Sequence, residues 1–294
     1  MFMYELIQIS ENDYYIDCPA KIGLVKINDT DVVAIDSGND KDAGKKVLKH
    51  VEANGWKLVA IYNTHSHADH IGGNKLIQER TGCKVYAKGL ESCYTNNPIL
   101  EPMTLYGGNP FKDIENKFLM AAECTSENLT EDVLPESWEL INLPGHCFEM
   151  VGFRTKDNNV FLGDCVSSKE TLEKYGIGYL WDPEAYINTL EMVKTLKANM
   201  FIPAHVAASN EIAELAQVNI DAVNEVCSKI LEICKNKLSF EDLLQKIFEI
   251  YGLSMNAQQY VLIGSTVRSY LSYLYKQERV EFVFENSYML WHSL

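Results

Sequence analysis

The sequence predicts an α+β protein: a mixed strand-and-helix sandwich over residues 1–208, followed by a smaller helical unit over 209–294. Three patterns carry that expectation. Short β-rich apolar runs alternate with helical stretches up to about residue 205. Long helical periodicities take over from Glu211. The chain then closes on two β-rich runs separated by Glu285-Asn286-Ser287, the pattern of a hairpin.

The elements follow in order. Lys21–Lys26 and Asp31–Ile35 read as strands joined through the turn residues Asn28-Asp29-Thr30. Asp40–Asn54 has the spacing of an amphipathic helix and leads into a buried strand, Leu58–Tyr62. Asp69–Thr81 reads as one helix, Lys84–Ala87 as a short strand and Ser137–Leu143 as a longer one. Strands are expected again at Val160–Gly163 and Met200–Ile202. Between them Asp182-Pro183 starts a helix, cap then proline, that the pattern carries to Lys197. Residues 91–136, punctuated by Pro98, Pro102, Gly107-Gly108 and Pro110, give no clear period. Three helices are expected at Glu211–Lys235, Ser239–Tyr251 and Ala257–Gln277, then strands Val280–Phe284 and Tyr288–Trp291.

Composition narrows the function. The 294 residues carry 26 Lys and Arg against 41 Asp and Glu, a net charge of −15, which opposes binding to nucleic acid or anionic membrane. No apolar run is long enough to span a bilayer, and the N-terminal residues lack the pattern of an export signal. The eight cysteines form no C-x-x-C pair, so reduced thiols in a cytoplasmic protein are expected. Cys227 and Cys234, seven apart, suit one buried helix face.

The chemistry concentrates in Thr64-His65-Ser66-His67-Ala68-Asp69-His70, which holds three of the seven histidines. In an extended stretch His65 and His67 share a side, and the turn into a helix swings Asp69 and His70 beside them. His146, Asp164 and His205 each lie just past the end of an expected strand. Strands delivering these ends to one sheet edge would gather seven nitrogen and oxygen ligands, a set suited to zinc, iron or manganese. Cys147 and Cys165 adjoin ligands in sequence, but a strand neighbour faces the opposite way, so neither is expected to coordinate.

The H-x-H-x-D-H run with His146, Asp164 and His205 downstream resembles the metallo-β-lactamase superfamily, and within it the hydroxyacylglutathione hydrolase-like branch. The resemblance covers roughly residues 5–207. It implies an αββα four-layer sandwich with two divalent metal ions, zinc first and iron or manganese as alternatives. It places His65, His67 and His146 on one metal, Asp69, His70 and His205 on the other, and Asp164 between them. Asp36 matches an aspartate that supports a ligand from behind. The implied reaction is hydrolysis of a small ester, thioester or lactone-like substrate by a hydroxide bridging the metals, with Asp69 shuttling a proton. The C-terminal unit resembles the winged-helix modules behind some of these folds.

Substrate contacts are sought between Asp164 and Asp182, where Lys169, Lys174, Tyr175 and Tyr179 could meet an anionic or aromatic group. Residues 211–294 hold seven Lys/Arg and eleven Asp/Glu, a departure from the basic region that recognises glutathione in the branch. Two other reactions fit the same superfamily. A persulfide dioxygenase needs one iron on His65, His146 and Asp164, and a ribonuclease needs both metals and a basic surface. The tyrosines of the third helix suit a core or a homodimer contact better than stacking on bases.

Overall fold

The computed structural model of the protein describes residues 4–294. Its first sheet runs in the order β1 (Glu5–Gln8), β2 (Asp13–Asp17), β3 (Ile22–Lys26), β4 (Asp31–Ile35), β5 (Lys57–Tyr62), β6 (Lys84–Ala87), β7 (Glu127–Asn128). The first four strands form an antiparallel meander; β4 through β7 are parallel. Helices α1 (Lys41–Ala53), α2 (Ala68–Ile71) and α3 (Asn74–Thr81) fill the crossovers between parallel strands, and α4 (Gly89–Asn96) and α5 (Leu100–Tyr106) follow β6. The second sheet has the order β11 (Met200–Pro203), β10 (Asn159–Gly163), β9 (Val151–Arg154), β8 (Glu139–Asn142). Between β10 and β11 the chain forms α6 (Lys169–Tyr175) and α7 (Pro183–Val193).

The period of two along each strand builds the layers. On β4, Val33 and Ile35 face the second sheet, where they meet Val151, Phe153, Phe161 and Ile202. Val32 and Ala34 turn the other way, onto Ala43 and Val47 of α1 and Ile77 of α3. On β10, Phe161 points inward, while Val160 and Leu162 point outward to Leu190 and Val193 of α7. The result is helix, sheet, sheet, helix.

The remaining chain forms α8 (Ala213–Ile233), α9 (Phe240–Ile250), α10 (Ala257–Lys276) and a small sheet, β12 (Leu238–Ser239), β14 (Tyr288–Ser293), β13 (Val280–Glu285). Ser239 and Asp242 cap α9 reciprocally. Ala216, Val223 and Ile230 of α8, with Leu244 of α9 and Val267 and Leu271 of α10, belong to the same buried cluster as α7. Cys227 and Cys234 are buried there, as their spacing suggests.

Several local expectations are corrected. The helix over 69–81 is two: Gly72 and Gly73 separate α2 from α3, and a side chain on Gly73 would stand 2.4 Å from the Ser37 carbonyl. The helix starting at Asp182 gives way at Val193 to tight turns through Thr195 and Leu196. β1, β2, β9, β12 and α6 had no sequence counterpart, and residues 91–136 contain most of α4, all of α5, β7 and two short 3₁₀ turns. Among the described residues, no helix is long and apolar enough to cross a membrane.

Candidate metal centre

All seven predicted ligands converge, and they come from both sheets. β5 runs out into Asn63-Thr64 and the His65–His70 segment; β8, β10 and β11 of the facing sheet end just before His146, Asp164 and His205. The expectation of a single sheet edge therefore becomes a cleft between two edges. Two groups of ligand atoms lie within 4.8 Å of one another: His65, His67, His146 and Asp164, then Asp69, His70, Asp164 and His205. Asp164 belongs to both.

The first group is held by ring nitrogens. His65 Nε2 and His146 Nε2 each stand 3.0 Å from His67 Nδ1. Thr64 Oγ1 is 2.8 Å from Asp36 Oδ2 and 2.9 Å from His65 Nδ1. The hydroxyl has one proton, which it donates to the carboxylate, so it accepts from His65 Nδ1–H. That fixes the tautomer and leaves the His65 Nε2 lone pair aimed into the centre. Burial lowers His67 and His146 to about 4 and His65 well below its usual value, so all three stay neutral.

The second group has the opposite electrostatics. His70 Nδ1 stands 2.8 Å from Asp36 Oδ2, and its Nε2 stands 3.0 Å from Asp164 Oδ1. His205 Nδ1 donates to the Pro19 carbonyl at 2.6 Å, turning Nε2 to 3.3 Å from both Asp69 and Asp164. Burial pulls His70 down, but the carboxylates of Asp164, Asp69 and Asp36 outweigh it and raise it well above the ordinary histidine range. The Asp164 carboxylate likewise raises His205 to about 10. Burial opposes ionisation of Asp69, but His70 and His205 hold its carboxyl down at about 2. Asp164 is held well below the usual carboxylate range, burial being outweighed by His205 and His70.

The donor set fits metal. His70 Nε2 and Asp164 Oδ1 are buried and 3.0 Å apart, an ion pair when His70 is protonated, but without the geometry of a hydrogen bond. A cation that displaced the His70 proton would take a lone pair from each of these two poorly satisfied groups. Asp36 adopts φ 62° at the end of β4, and its carboxylate also accepts from the Thr64 N–H at 2.8 Å, so one aspartate orients ligands of both groups. The approach of Asp164 depends on Gly163, at φ 52°, where a Cβ would stand 2.9 Å from Thr64 Oγ1. Helix α2 has only four residues, so its N-terminus adds little field at the centre.

The four substrate candidates separate. Tyr179 lies beside the centre, its ring 5.2 Å from that of His67 and 5.8 Å from that of His146. Lys169, Lys174 and Tyr175 belong to α6, where Lys174 lies over the exposed Tyr175 ring and Lys169 lies 3.9 Å from Glu173. Cys147 and Cys165 are buried away from both groups. Two acids went unread in the sequence: Glu91, fully buried, accepts from Ser66 N and Oγ and from Glu149 N, and Glu101 stands 3.8 Å from His67 Nε2. Burial, reinforced by Glu91 and Asp69, raises Glu101 to about 8. Both sit in the stretch whose mixed prolines and polar residues hid its helices.

Comparison with known proteins gives the family. A hydroxyacylglutathione hydrolase of Erythrobacter litoralis is 54% identical over 48 residues, spanning 16% of this chain and 19% of that protein. Another, of Prochlorococcus marinus, is 25% identical over 233 residues, 76% of this chain and 81% of its own. The crystal structure of a beta-lactamase domain protein from Burkholderia ambifaria superposes with a TM-score of 0.73 at 12% identity, covering 99% of this chain and 94% of that one. That likeness is one of fold, and it extends through the C-terminal helices. The metallo-beta-lactamase superfamily pattern matches residues 15–205, and the chain belongs to that superfamily.

Proposed function

We propose that the chain is a metal-dependent hydrolase holding two divalent cations, zinc first and iron or manganese as alternatives, and cleaving a small ester, thioester or lactone-like substrate. The supporting observation is the pair of four-residue ligand groups joined at Asp164. His65, His67 and His146 would hold one cation, Asp69, His70 and His205 the other, and Asp164, which belongs to both groups, would serve both. Divalent cations bound there lower the pKa of water and polarise a carbonyl.

The chain's own residues do the rest. Asp36 and Thr64 hold the histidine rings in register. The ionised Asp69, with its side chain partly open to solvent, can take a proton at Oδ2 and pass it to the leaving group. In balance, water's oxygen joins the acyl carbon, the C–O or C–S bond breaks, and alcohol or thiol departs with the proton. The unit 209–294 is read as a winged-helix-type cover for the substrate site or a homodimer contact. The net charge of −15 disfavours nucleic acid and membrane partners in favour of a small molecule in the cytoplasm.

The test compares holoenzyme, chelator-treated protein and zinc-reconstituted protein on 4-nitrophenyl esters, acyl thioesters and lactones. Loss on chelation and recovery with zinc are expected. A metal-loaded protein that cleaves none of them would contradict the proposal. One iron per chain with oxygen uptake on a persulfide would install the dioxygenase instead.

A further inference from the structure

From the ligands His146, Asp164 and His205 a cavity of about 90 Å³ runs inward between the α6–α7 segment and the C-terminal helices. Its walls include Val166, Leu180, Val223, Val226 and Tyr270, all nearly fully buried, with half-buried Ala222 at the side. Tyr179 stands where this space meets the centre. Among the described residues, none lining it is a lysine or arginine. Beyond the centre, Asn219 and Tyr186 are already engaged. Asn219 accepts from the Ser167 N–H and the Tyr186 hydroxyl through Oδ1, and donates through Nδ2 to the Ser167 and Leu215 carbonyls. Tyr186 and Tyr270 stay neutral, because burial raises both well above the usual phenol range.

A cavity that adjoins the reacting centre, is walled by aliphatic side chains and tyrosine rings, and offers no charged group beyond the candidate ligands suits an uncharged, largely apolar group. Its volume sets the length. A dry apolar cavity of about 150 Å³ accepts benzene, so this smaller one suits a short aliphatic chain better than an aromatic ring.

We propose that this cavity is an acyl-chain site that selects short, uncharged aliphatic acyl groups, with Ala222, Val223 and Val226 of α8 as its specificity determinants. The proposal rests on the hydrolase reading for the bond cleaved, but its recognition chemistry stands apart from turnover. It assigns to α8 and α10 a direct part in substrate choice, and it leaves the lysines of α6 outside that choice.

The experiment uses full-length metal-loaded protein and two readouts. Binding of acetate, butyrate, octanoate and benzoate is measured by calorimetry, and kcat/KM is measured on the matching 4-nitrophenyl esters. Since a methylene in an apolar pocket is worth about 10-fold or more, butyrate should exceed acetate by about 10-fold or more, with octanoate and benzoate falling away. Val226→Ala should move the optimum to a longer chain. Ala222→Leu should lower the butyrate-to-acetate ratio by about 10-fold, estimated on the same methylene scale. Equal binding of all four acids, or variants that leave the order unchanged, would overturn the acyl-chain site. Chain-length-selective binding with no ester cleaved would leave the site standing and overturn the hydrolase reading.

Discussion

The Asp36 carboxylate and His70 Nδ1 lie 2.8 Å apart, both buried, although 34 positions separate them in the chain. The same carboxylate accepts from the Thr64 hydroxyl, which in turn accepts from His65. A single aspartate at the end of β4 thus sets the ring orientation of one histidine in each ligand group.

Replacing Asp36 with Ala removes that common support and leaves the Thr64 N–H and His70 Nδ1 without their partner. Metal affinity should fall about 10- to 100-fold, the usual cost of losing an outer hydrogen-bonding partner of a ligand. Competition with a chromogenic chelator reads this directly. Unchanged affinity would show that Asp36 is a turn residue alone.

Much of the centre was legible because its residues sit at strand ends, where β-rich runs stop on His146, Asp164 and His205. The crossing of ligands between two sheets was not, since nothing local in Leu58–Tyr62 or Phe161–Gly163 states which sheet a strand joins. β9 escaped notice for a related reason: Val151-Gly152-Phe153-Arg154 has only four residues, and its Gly152 lets the Phe161 carbonyl approach where a Cβ would stand at 2.6 Å. Glu91 and Glu101 were hidden because acids in a polar-looking stretch give no sign that tertiary packing will bury them.

The two ligand groups should differ in proton release. Metal-free His65, His67 and His146 are already neutral at pH 7, whereas His70 and His205 carry protons that a cation must displace. Affinity at the second group should therefore rise between pH 6 and 8 by about tenfold per unit for each proton released, while the first stays flat. Zinc calorimetry in buffers of different ionisation enthalpy checks this, and equal proton release at both steps would count against the assignment. The sign for stability follows. Pairing of His205 with Asp164 stabilises metal-free protein fully below about pH 6.5 and is lost as pH rises through about 10.

Gly163→Ala places a methyl group 2.9 Å from Thr64 Oγ1 on a backbone at φ 52°. Thr64 must shift, carrying the His65 and Asp36 contacts with it. The variant should lose metal affinity and melt earlier than wild type. Wild-type affinity and melting temperature together would show that the close approach is slack.

Ending the chain at Ala208 removes α8, α9 and α10 from the cluster that covers Leu162, Leu190 and Val193. Every predicted ligand remains encoded, yet a large apolar face opens, so the shortened protein should aggregate or bind a hydrophobic dye strongly. A monodisperse, metal-loaded product with unchanged kinetics would contradict both the shared core and the substrate role of α8.

The central claim is that seven side chains hold two cations through one shared carboxylate. Elemental analysis of the purified protein and of Asp164→Ala, each dialysed against trace metal, tests it most directly. The account predicts two metal ions per chain in the wild type, and loss of both metal and turnover in the variant. A single metal in the wild type, or an Asp164→Ala protein that keeps two metals and its activity, would contradict it.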